Sequence, residues 1–479
     1  MSVASPPRSA PARGAAGSLA PQRPLRRPDS SSPEVMTRRA WWLVALNLLL
    51  PGSAQVLAGN RRLGRIGLVS TLALWGVAVV GLVLWLVWRA PLLTVATSSL
   101  ALLAAQVLLI AYAVLWAVLT FDTLRLARLV KARRGARLPI AIVAIAGLVL
   151  SGGGAVYASQ LAGVSRDTLG SIFGLGGPSV PPSDGYYNIL LLGADSGEGR
   201  DSMRFDSISV VSVNADSGAV TITGIPRDMP EFPFAPGPMQ ELYPDVHEGH
   251  VDEECGWSSG INQLRTEVEV CRDGDALYPD AAANGSSPGV EATKDAAEGI
   301  LGIEIPYYVF IDMQGFAALI DALGGVDITV EERLPMGGGP TYDGEPAEDW
   351  AIGWIEPGAQ HMNGDTAQWY ARSRYTTSDF DRMKRQRQLQ EAILAQFTPS
   401  NVLTRFNEVA AAGTALVETD IPQSMLGYFV DLGLKAKEQP VSTIELTPEG
   451  GIDEFDPDYA YIRELIQTTL HPPTAEPEG

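Results

Sequence analysis

"YYVFIDMQGFAALIDALGGVDITV", Tyr307 to Val330, changes its apolar period twice in 24 residues. "YYVFID" reads as a strand. "MQGFAALIDAL" then sets Phe316, Leu319, Ile320 and Leu323 at the i, i+3, i+4, i+7 spacing of a helix face, and "GGVDITV" returns to a strand. Strand, helix and strand in succession argue for a sheet covered by helices. By itself, the apolar stripe on the helix, with Val309 and Ile311 on the strand before it, reads as ordinary core packing.

The same alternation extends outward. "YYNILLLGAD", Tyr186 to Asp195, is a continuous apolar run suited to a buried strand, and "SISVVSVNADSGAVTITGIPRD", Ser207 to Asp228, reads as two strands joined through a turn at Asn214 to Gly218. A Pro-, Gly- and acid-rich insertion follows, then a helix at "VEATKDAAEGILG". These elements predict one α/β domain over about 185–470, with a flexible stalk at 159–184 and a short tail at 471–479. No internal repeat is visible.

The N-terminal third differs in kind. The chain has 479 residues and a formal net charge of -20, yet about 17 of its 35 basic residues and about 3 of its 55 acidic ones precede Gln160. Residues 1–40, rich in Pro, Ala, Ser and Arg without apolar periodicity, predict a disordered tail. Residues 41–158 predict a helical membrane region with spans near 66–88, 93–121 and 138–158, each close to or above the roughly 20 residues a bilayer requires. The stretch 41–59 is broken by Pro51 and Gly52 and has arginines on both sides, so it reads as dipping into the membrane or lying along its surface. The positive-inside rule places the tail in the cytoplasm, and three crossings place everything after Tyr157 outside a multi-pass cell-membrane protein. The basic clusters fit attraction to anionic lipid. They lack the interleaved aromatics and recognisable module of a nucleic-acid binder.

Within the acidic exterior part, nine of the basic residues fall in three short stretches: Arg200 and Arg204; Arg227; and Arg372, Arg374, Arg382, Lys384, Arg385 and Arg387. Asp195, Asp206 and Asp228 stand at the ends of predicted strands beside them. Carboxylates bind hard cations such as Mg²⁺, which takes one or two of them together with phosphate oxygens. Arg forks pair with the remaining phosphate oxygens, so the mixture fits a pyrophosphate. The alternative is a set of surface ion pairs. The rival P-loop motif fails: "GADSGEGRDS" has Glu198 at its second glycine position, and no Gly-Lys-Ser/Thr follows. Cys255 and Cys271 form either a disulfide in an oxidising exterior or two free thiols. His247 and His250 in "HEGH" lack the HExxH spacing of a zinc site and read as part of a solvated loop.

"NILLLGAD", "RFDSISVVSVN", "IPRD", "YYVFIDMQGFAALIDALGGVDITV", "MNGDTAQWYARSR" and "DFDRMKRQRQ" follow, in order and spacing, the motifs of the LytR-CpsA-Psr family, and the chain resembles it over roughly 186–397. That resemblance implies an extracellular helix-sheet-helix sandwich, an α/β fold, preceded by an all-α transmembrane region. It also implies a phosphotransferase that moves a glycopolymer from a polyprenyl-pyrophosphate-linked precursor to a peptidoglycan hydroxyl through a phosphodiester.

On the same basis Asp195 and Asp206 would hold Mg²⁺ or Mn²⁺ and, with Arg227, Arg372, Arg374 and Arg382, carry catalysis, while Arg204, Asp228, Arg385 and Gln386 would contact the pyrophosphate part of the substrate. Val309, Ile311, Phe316, Leu319, Ile320 and Leu323 would line a tunnel for the polyprenyl chain. Lys384 and Arg387 would point elsewhere on a helix, since adjacent residues diverge by about 100°. The sequence departs from the family pattern at Phe205 and Gly224, each where serine is usual, and at Gly260–Asn262, which lacks a usual Lys. A pyrophosphatase using the same site with water as acceptor, a non-catalytic membrane regulator sensing lipid carrier and a cytoplasmic transcription regulator are the rival readings.

Overall fold

The computed structural model describes residues 25–26, 28–173, 177–194, 204–251, 255–257, 260–342, 344–373, 375–396, 417–453 and 455–472, and the side chains of all of these but Met313, Gln314 and Asp379. The chain divides into two compact units, one of residues 1–80 and 107–159, the other of 81–106 and 160–479.

The N-terminal part is helical. Helix α1 (Pro33–Leu49) starts with proline in its first turn, where the missing N–H costs nothing, so helix already occupies the end of the stretch expected as a tail. The chain breaks at Pro51 and Gly52, the latter at φ +96°, before α2 (Ser53–Ala58). Among the described residues, three helices are long and apolar enough to cross a membrane: α3 (Arg61–Val87), α5 (Ser99–Ala127, continuing as a 3₁₀ turn to Lys131) and α6 (Arg134–Phe173). Between α3 and α5 lies a short separate helix, α4 (Arg89–Ala96), so the second apolar helix begins at Ser99 rather than Leu93. Helix α6 continues to Phe173, which makes the first part of the expected stalk helical. The broken 41–59 stretch is tied to α5 by buried polar groups: Asn47 Nδ2 donates to Thr120 Oγ1 at 3.1 Å and Gln55 Nε2 to Thr123 Oγ1 at 2.9 Å. Each satisfies a partner that an apolar setting would otherwise strand.

The second unit holds a mixed sheet. Strands β1 (Tyr186–Ala194), β2 (Phe205–Asn214) and β3 (Val220–Ile225) are an antiparallel meander. Helix α7 (Pro288–Leu301) leads to β4 (Tyr307–Asp312), which pairs parallel with β1. Helix α8 (Met313–Leu323) follows, and β5 (Val326–Val330), β6 (Leu334–Met336), β7 (Gly353–Ile355) and β8 (Gly358–Met362) form two ribbons, β5 with β8 and β6 with β7, outside the main sheet. Next come α9 (Gly364–Arg372), α10 (Asp379–Gln396), β9 (Val417–Thr419), α11 (Leu426–Ala436), β10 (Val441–Glu445) and α12 (Tyr459–Leu470). The six-stranded sheet runs β10-β3-β2-β1-β4-β9.

Period-two alternation gives the sheet two apolar faces. Leu190, Leu192, Ile208 and Val210 pack with Val290 and Ile300 of α7 and with Ile462 and Ile466 of α12. Their strand neighbours Ile189, Leu191, Val211 and Val213 point to the other side, toward α8, α10 and α11, where they line a cavity of about 420 Å³ instead of closing against helices. The domain is thus an α/β sandwich of helices, sheet and helices.

Cys255 and Cys271 are disulfide-bonded. The "HEGH" segment beside them is not a solvated loop: His247 is fully buried, its ring 5.0 Å from that of Phe232 and 4.9 Å from that of Trp257. Glu267, also fully buried, is the reason. Its carboxylate accepts from His247 Nε2 at 2.8 Å, Tyr243 Oη at 2.7 Å and Arg272 Nε at 2.8 Å, so the charge is satisfied without water. Burial pushes this carboxyl up, but the hydrogen bonds from His247, Tyr243 and Arg272 outweigh it and hold the group down at about 2.

Candidate active site

Asp206 is placed by an irregularity. The β1–β2 register shifts between Gly193 and Ala194, so β2 enters with Phe205 buried opposite Ala194 and Asp206 half-buried at the sheet's end. Arg227 leaves β3 at the same end. Its Nη1 donates to Asp206 Oδ1 at 2.5 Å and its Nε to Asp228 Oδ2 at 3.2 Å. Asn262 completes the arrangement, its Nδ2 donating to Asp228 Oδ1 at 2.9 Å and its backbone N–H to the Arg227 carbonyl at 3.0 Å. From the helical layer, Arg382 of α10 is buried and its Nη2 reaches the backbone oxygen of Asp206 at 3.4 Å, while Arg372, at the end of α9, is exposed with its guanidinium 5.7 Å from the Trp369 ring centre.

These side chains border a polar cavity of about 620 Å³. Among the described residues that line it, four guanidinium groups, Arg204, Arg227, Arg372 and Arg382, face two carboxylates, Asp206 and Asp228. Positive charge is in surplus, and such a recess attracts an anion. Gly193, Ser207, Ala371 and Gln386 belong to the walls of both the polar cavity and the apolar one, so the two meet there. An elongated ligand with an anionic head and an apolar tail would match that sequence of surfaces.

Among the described residues no group of three or more His, Cys, Asp and Glu could hold a metal without a ligand's help. Mg²⁺ does not require such a cage, because one or two carboxylates and substrate phosphate oxygens suffice. Asp206, which engages Arg227 through Oδ1, fits the part of that single carboxylate.

The residues expected from sequence divide into three sets. Arg204, Asp206, Arg227, Asp228, Arg372, Arg382 and Gln386 come together on the polar cavity, and Val309, Ile311, Phe316 and Leu319 on the apolar one. Asp195 and Arg374 lie outside the described residues. Arg385, Ile320 and Leu323 are elsewhere. Arg385 is buried under α9, where its Nε donates to the Tyr370 carbonyl at 3.0 Å and its Nη2 to that of Ser373, serving oxygens that the end of α9 leaves without helical donors. Ile320 packs among Val326, Tyr370 and Leu389, and Leu323 is buried away from the cavity. Lys384 pairs with Glu331 at 2.8 Å and Arg387 with Glu445 at 3.3 Å, both off the site as the helical phase requires. Asn262, Trp369 and Tyr375 also line the polar cavity and were not singled out as site residues. The two aromatics lie in "QWYARSRY", where a reading weighted toward charge passes over them.

Residues 172–230 and 274–468 match the model of the LytR_cpsA_psr family. Among curated proteins, biofilm regulatory protein A of Streptococcus mutans is 26% identical over 305 residues, 62% of this chain and 66% of that protein. A polyisoprenyl-teichoic acid–peptidoglycan teichoic acid transferase TagU of Halalkalibacterium halodurans is 28% identical over 266 residues, 55% of this chain and 70% of that one. The TagU of Bacillus cereus strain AH820 is 28% identical over 296 residues, 60% of this chain and 79% of that one. Among solved structures, protein gbs0355 of Streptococcus agalactiae aligns with a TM-score of 0.41 at 21% identity, over 60% of this chain and 88% of that one. B. subtilis TagV aligns with a TM-score of 0.39 at 22% identity, over 60% and 97%.

Proposed function

The chain belongs to the LytR-CpsA-Psr family, and from that premise we propose that it transfers a glycopolymer phosphate from a polyprenyl-pyrophosphate-linked precursor to a hydroxyl of peptidoglycan, outside a membrane that its apolar helices cross. The observation that carries the reading is the junction of the two cavities at Gly193, Ser207, Ala371 and Gln386, with arginines on one side and apolar side chains on the other. Relatives named as teichoic acid–peptidoglycan transferases support it.

In this reading the polyprenyl chain lies along Leu191, Val309 and Leu319, and the pyrophosphate lies among Arg227, Arg372 and Arg382. The acceptor hydroxyl attacks the glycan-bearing phosphorus in line. A new O–P bond forms, the bridging P–O bond breaks, and polyprenyl phosphate leaves with the bond's electron pair. The arginines stabilise charge on the transferred and leaving phosphates, fixed in place before reaction. Asp206 and Asp228 are the described carboxylates within the cavity that can take the acceptor proton. Asp206, with Asp195, would hold a Mg²⁺ or Mn²⁺, whose chemistry when bound is charge neutralisation at the phosphates.

The test uses the full-length protein in detergent, a lipid-linked glycan donor and peptidoglycan acceptor. Arg382→Ala and Asp206→Ala are each expected to lower transfer on the order of a hundredfold, the scale seen when one preorganised donor is removed. Normal transfer by either variant overturns the assignment. Release of free glycan phosphate at the same rate with and without acceptor would identify a pyrophosphatase instead.

A further inference from the structure

Part of the wall of the polar cavity consists of uncharged residues. It is built from Pro335, Gly337 and Gly338 of the β6 end, with Trp369 and Tyr375 from either side of the α9 terminus. Tyr375 is held firmly for a residue that is 45% exposed: its hydroxyl donates to the Gly338 carbonyl at 3.1 Å, and its ring meets that of Trp350 edge-on at 4.9 Å. The glycine run admits it. Gly339, at φ +97°, lies so close that a Cβ there would overlap the Tyr375 ring.

Aromatic residues that only pack this arm look different. Trp354 on β7 has the Arg333 guanidinium 3.7 Å from its ring centre, and Arg333 is tethered to Glu356 at 3.0 Å. That face is occupied and does not line the cavity. Tyr375, by contrast, combines exposure, a fixed orientation and a place on the cavity wall, and Trp369 stands on the same wall beside Arg372. A rigid aromatic surface beside an anion-attracting recess suits a ligand with one apolar face and a polar edge next to a phosphate. A pyranose ring is such a ligand: its axial C–H groups stack on an aromatic face while its hydroxyls reach polar neighbours.

We infer that Trp369 and Tyr375, with Trp350 buttressing Tyr375, form a saccharide subsite that holds a pyranose at the mouth of the phosphate cavity. This rests on the transferase reading and deepens it. The ring is either the donor sugar attached to the pyrophosphate or the acceptor sugar, and both have the same stacking chemistry.

Equilibrium binding to the full-length protein in detergent separates the sources, with three probes: bare polyprenyl pyrophosphate, the same lipid carrying one N-acetylglucosamine, and a peptidoglycan disaccharide. Tyr375→Ala and Trp369→Leu are compared with Trp354→Leu, each variant checked for an unchanged melting temperature. The exposed Tyr375 position keeps the test usable even where Trp369→Leu fails to fold. The expected result is bare-lipid affinity within about twofold of wild type and roughly a tenfold loss for one sugar-bearing probe, the scale of a single aromatic stacking contact. Loss for the glycosylated lipid assigns the donor sugar, and loss for the disaccharide the acceptor. Equal effects on bare and glycosylated lipid, with no effect on the disaccharide, overturn the subsite alone. Failure of the wild type to bind any polyprenyl pyrophosphate overturns the transferase reading and the subsite with it.

Discussion

Gly224 stands where the family resemblance leads one to expect serine, and its neighbours leave no room for a side chain. A Cβ on Gly224 would lie 2.2 Å from Glu445 Oε2 and 3.2 Å from Arg387 Nε, so the buried Arg387–Glu445 pair occupies the space a side chain would need. Gly224→Ser is expected to cost about 1–3 kcal/mol by overpacking. Glu445→Ala should cost more, about 3–5 kcal/mol, because it leaves a buried guanidinium uncompensated, whereas Arg387→Met with Glu445→Leu should recover most of the loss. Denaturant titrations measure all three, and a Gly224→Ser protein as stable as wild type would refute the steric account. A second residue makes stability depend on pH. Burial raises the Asp295 carboxyl to about 7, with Glu298 and Glu291 adding to the rise and the hydrogen bond from Tyr278 opposing it. Between the usual carboxylate range and pH 7 the folded chain therefore holds a proton that the unfolded chain lacks, and stability falls as pH climbs through that window. Asp295→Asn should flatten the decline, measured as denaturation midpoints from pH 4.5 to 8.

At the scale of elements, the order of strand, helix and strand was legible because periods of 2 and 3.6 leave separate marks on the sequence. The face each side chain takes was less so. Phe316, Leu319, Ile320 and Leu323 form one stripe on paper, yet Leu319 lines the apolar cavity while Ile320, rotated from it by about 100°, is sealed among Val326, Tyr370 and Leu389. Local spacing defines the stripe, and only the placement of β5 and α10 decides where it splits. Arg385 failed for the same reason. It shares a helix with Arg382, but the end of α9 lies against it and its open carbonyls take the guanidinium. Charge alone gathered the cations into three stretches and left surface ion pairs open; the resemblance singled out Arg227, Arg372 and Arg382, which border one cavity. Two substitutions separate the faces of α8. Leu319→Trp should keep the melting temperature and abolish binding of a long-chain polyprenyl phosphate, since it adds volume to open space. Ile320→Ala should lower stability by about 2–5 kcal/mol and leave lipid affinity in the remaining folded protein near wild type. Lipid binding unchanged in Leu319→Trp would remove this face from the cavity's function.

At the scale of the whole molecule, residues 81–106, which comprise the end of α3, α4 and the start of α5, belong to the same compact unit as the sheet domain. The sequence hid this by continuing its apolar run through Leu93, which made the segment look like the start of a span. In the structure α4 is instead packed on α11, and Gly427 permits it: a Cβ there would lie 2.4 Å from the backbone nitrogen of Thr94. Arg89 Nε reaches Asp431 Oδ1 at 2.5 Å, and Gln423 Nε2 donates to the Thr97 carbonyl at 3.0 Å. Other residues of the same helix, Phe429, Leu432, Gly433 and Ala436, line the apolar cavity, so one element carries both the contact with α4 and a wall of that cavity. Arg89→Ala should change stability by less than about 1 kcal/mol, because the pair is partly exposed and Lys435 also lies 3.7 Å from Asp431. Gly427→Leu is a harsher change, since backbone cannot yield as a flexible side chain would. It should push α4 off, expose residues 88–98 to limited proteolysis and weaken polyprenyl phosphate binding through the displaced wall, while an Arg227-dependent affinity for inorganic pyrophosphate stays near wild type. Proteolysis and lipid affinity both unchanged in Gly427→Leu would mean that α11 keeps its position without α4. Lipid affinity lost with α4 still protected would place the damage inside the cavity rather than at the contact.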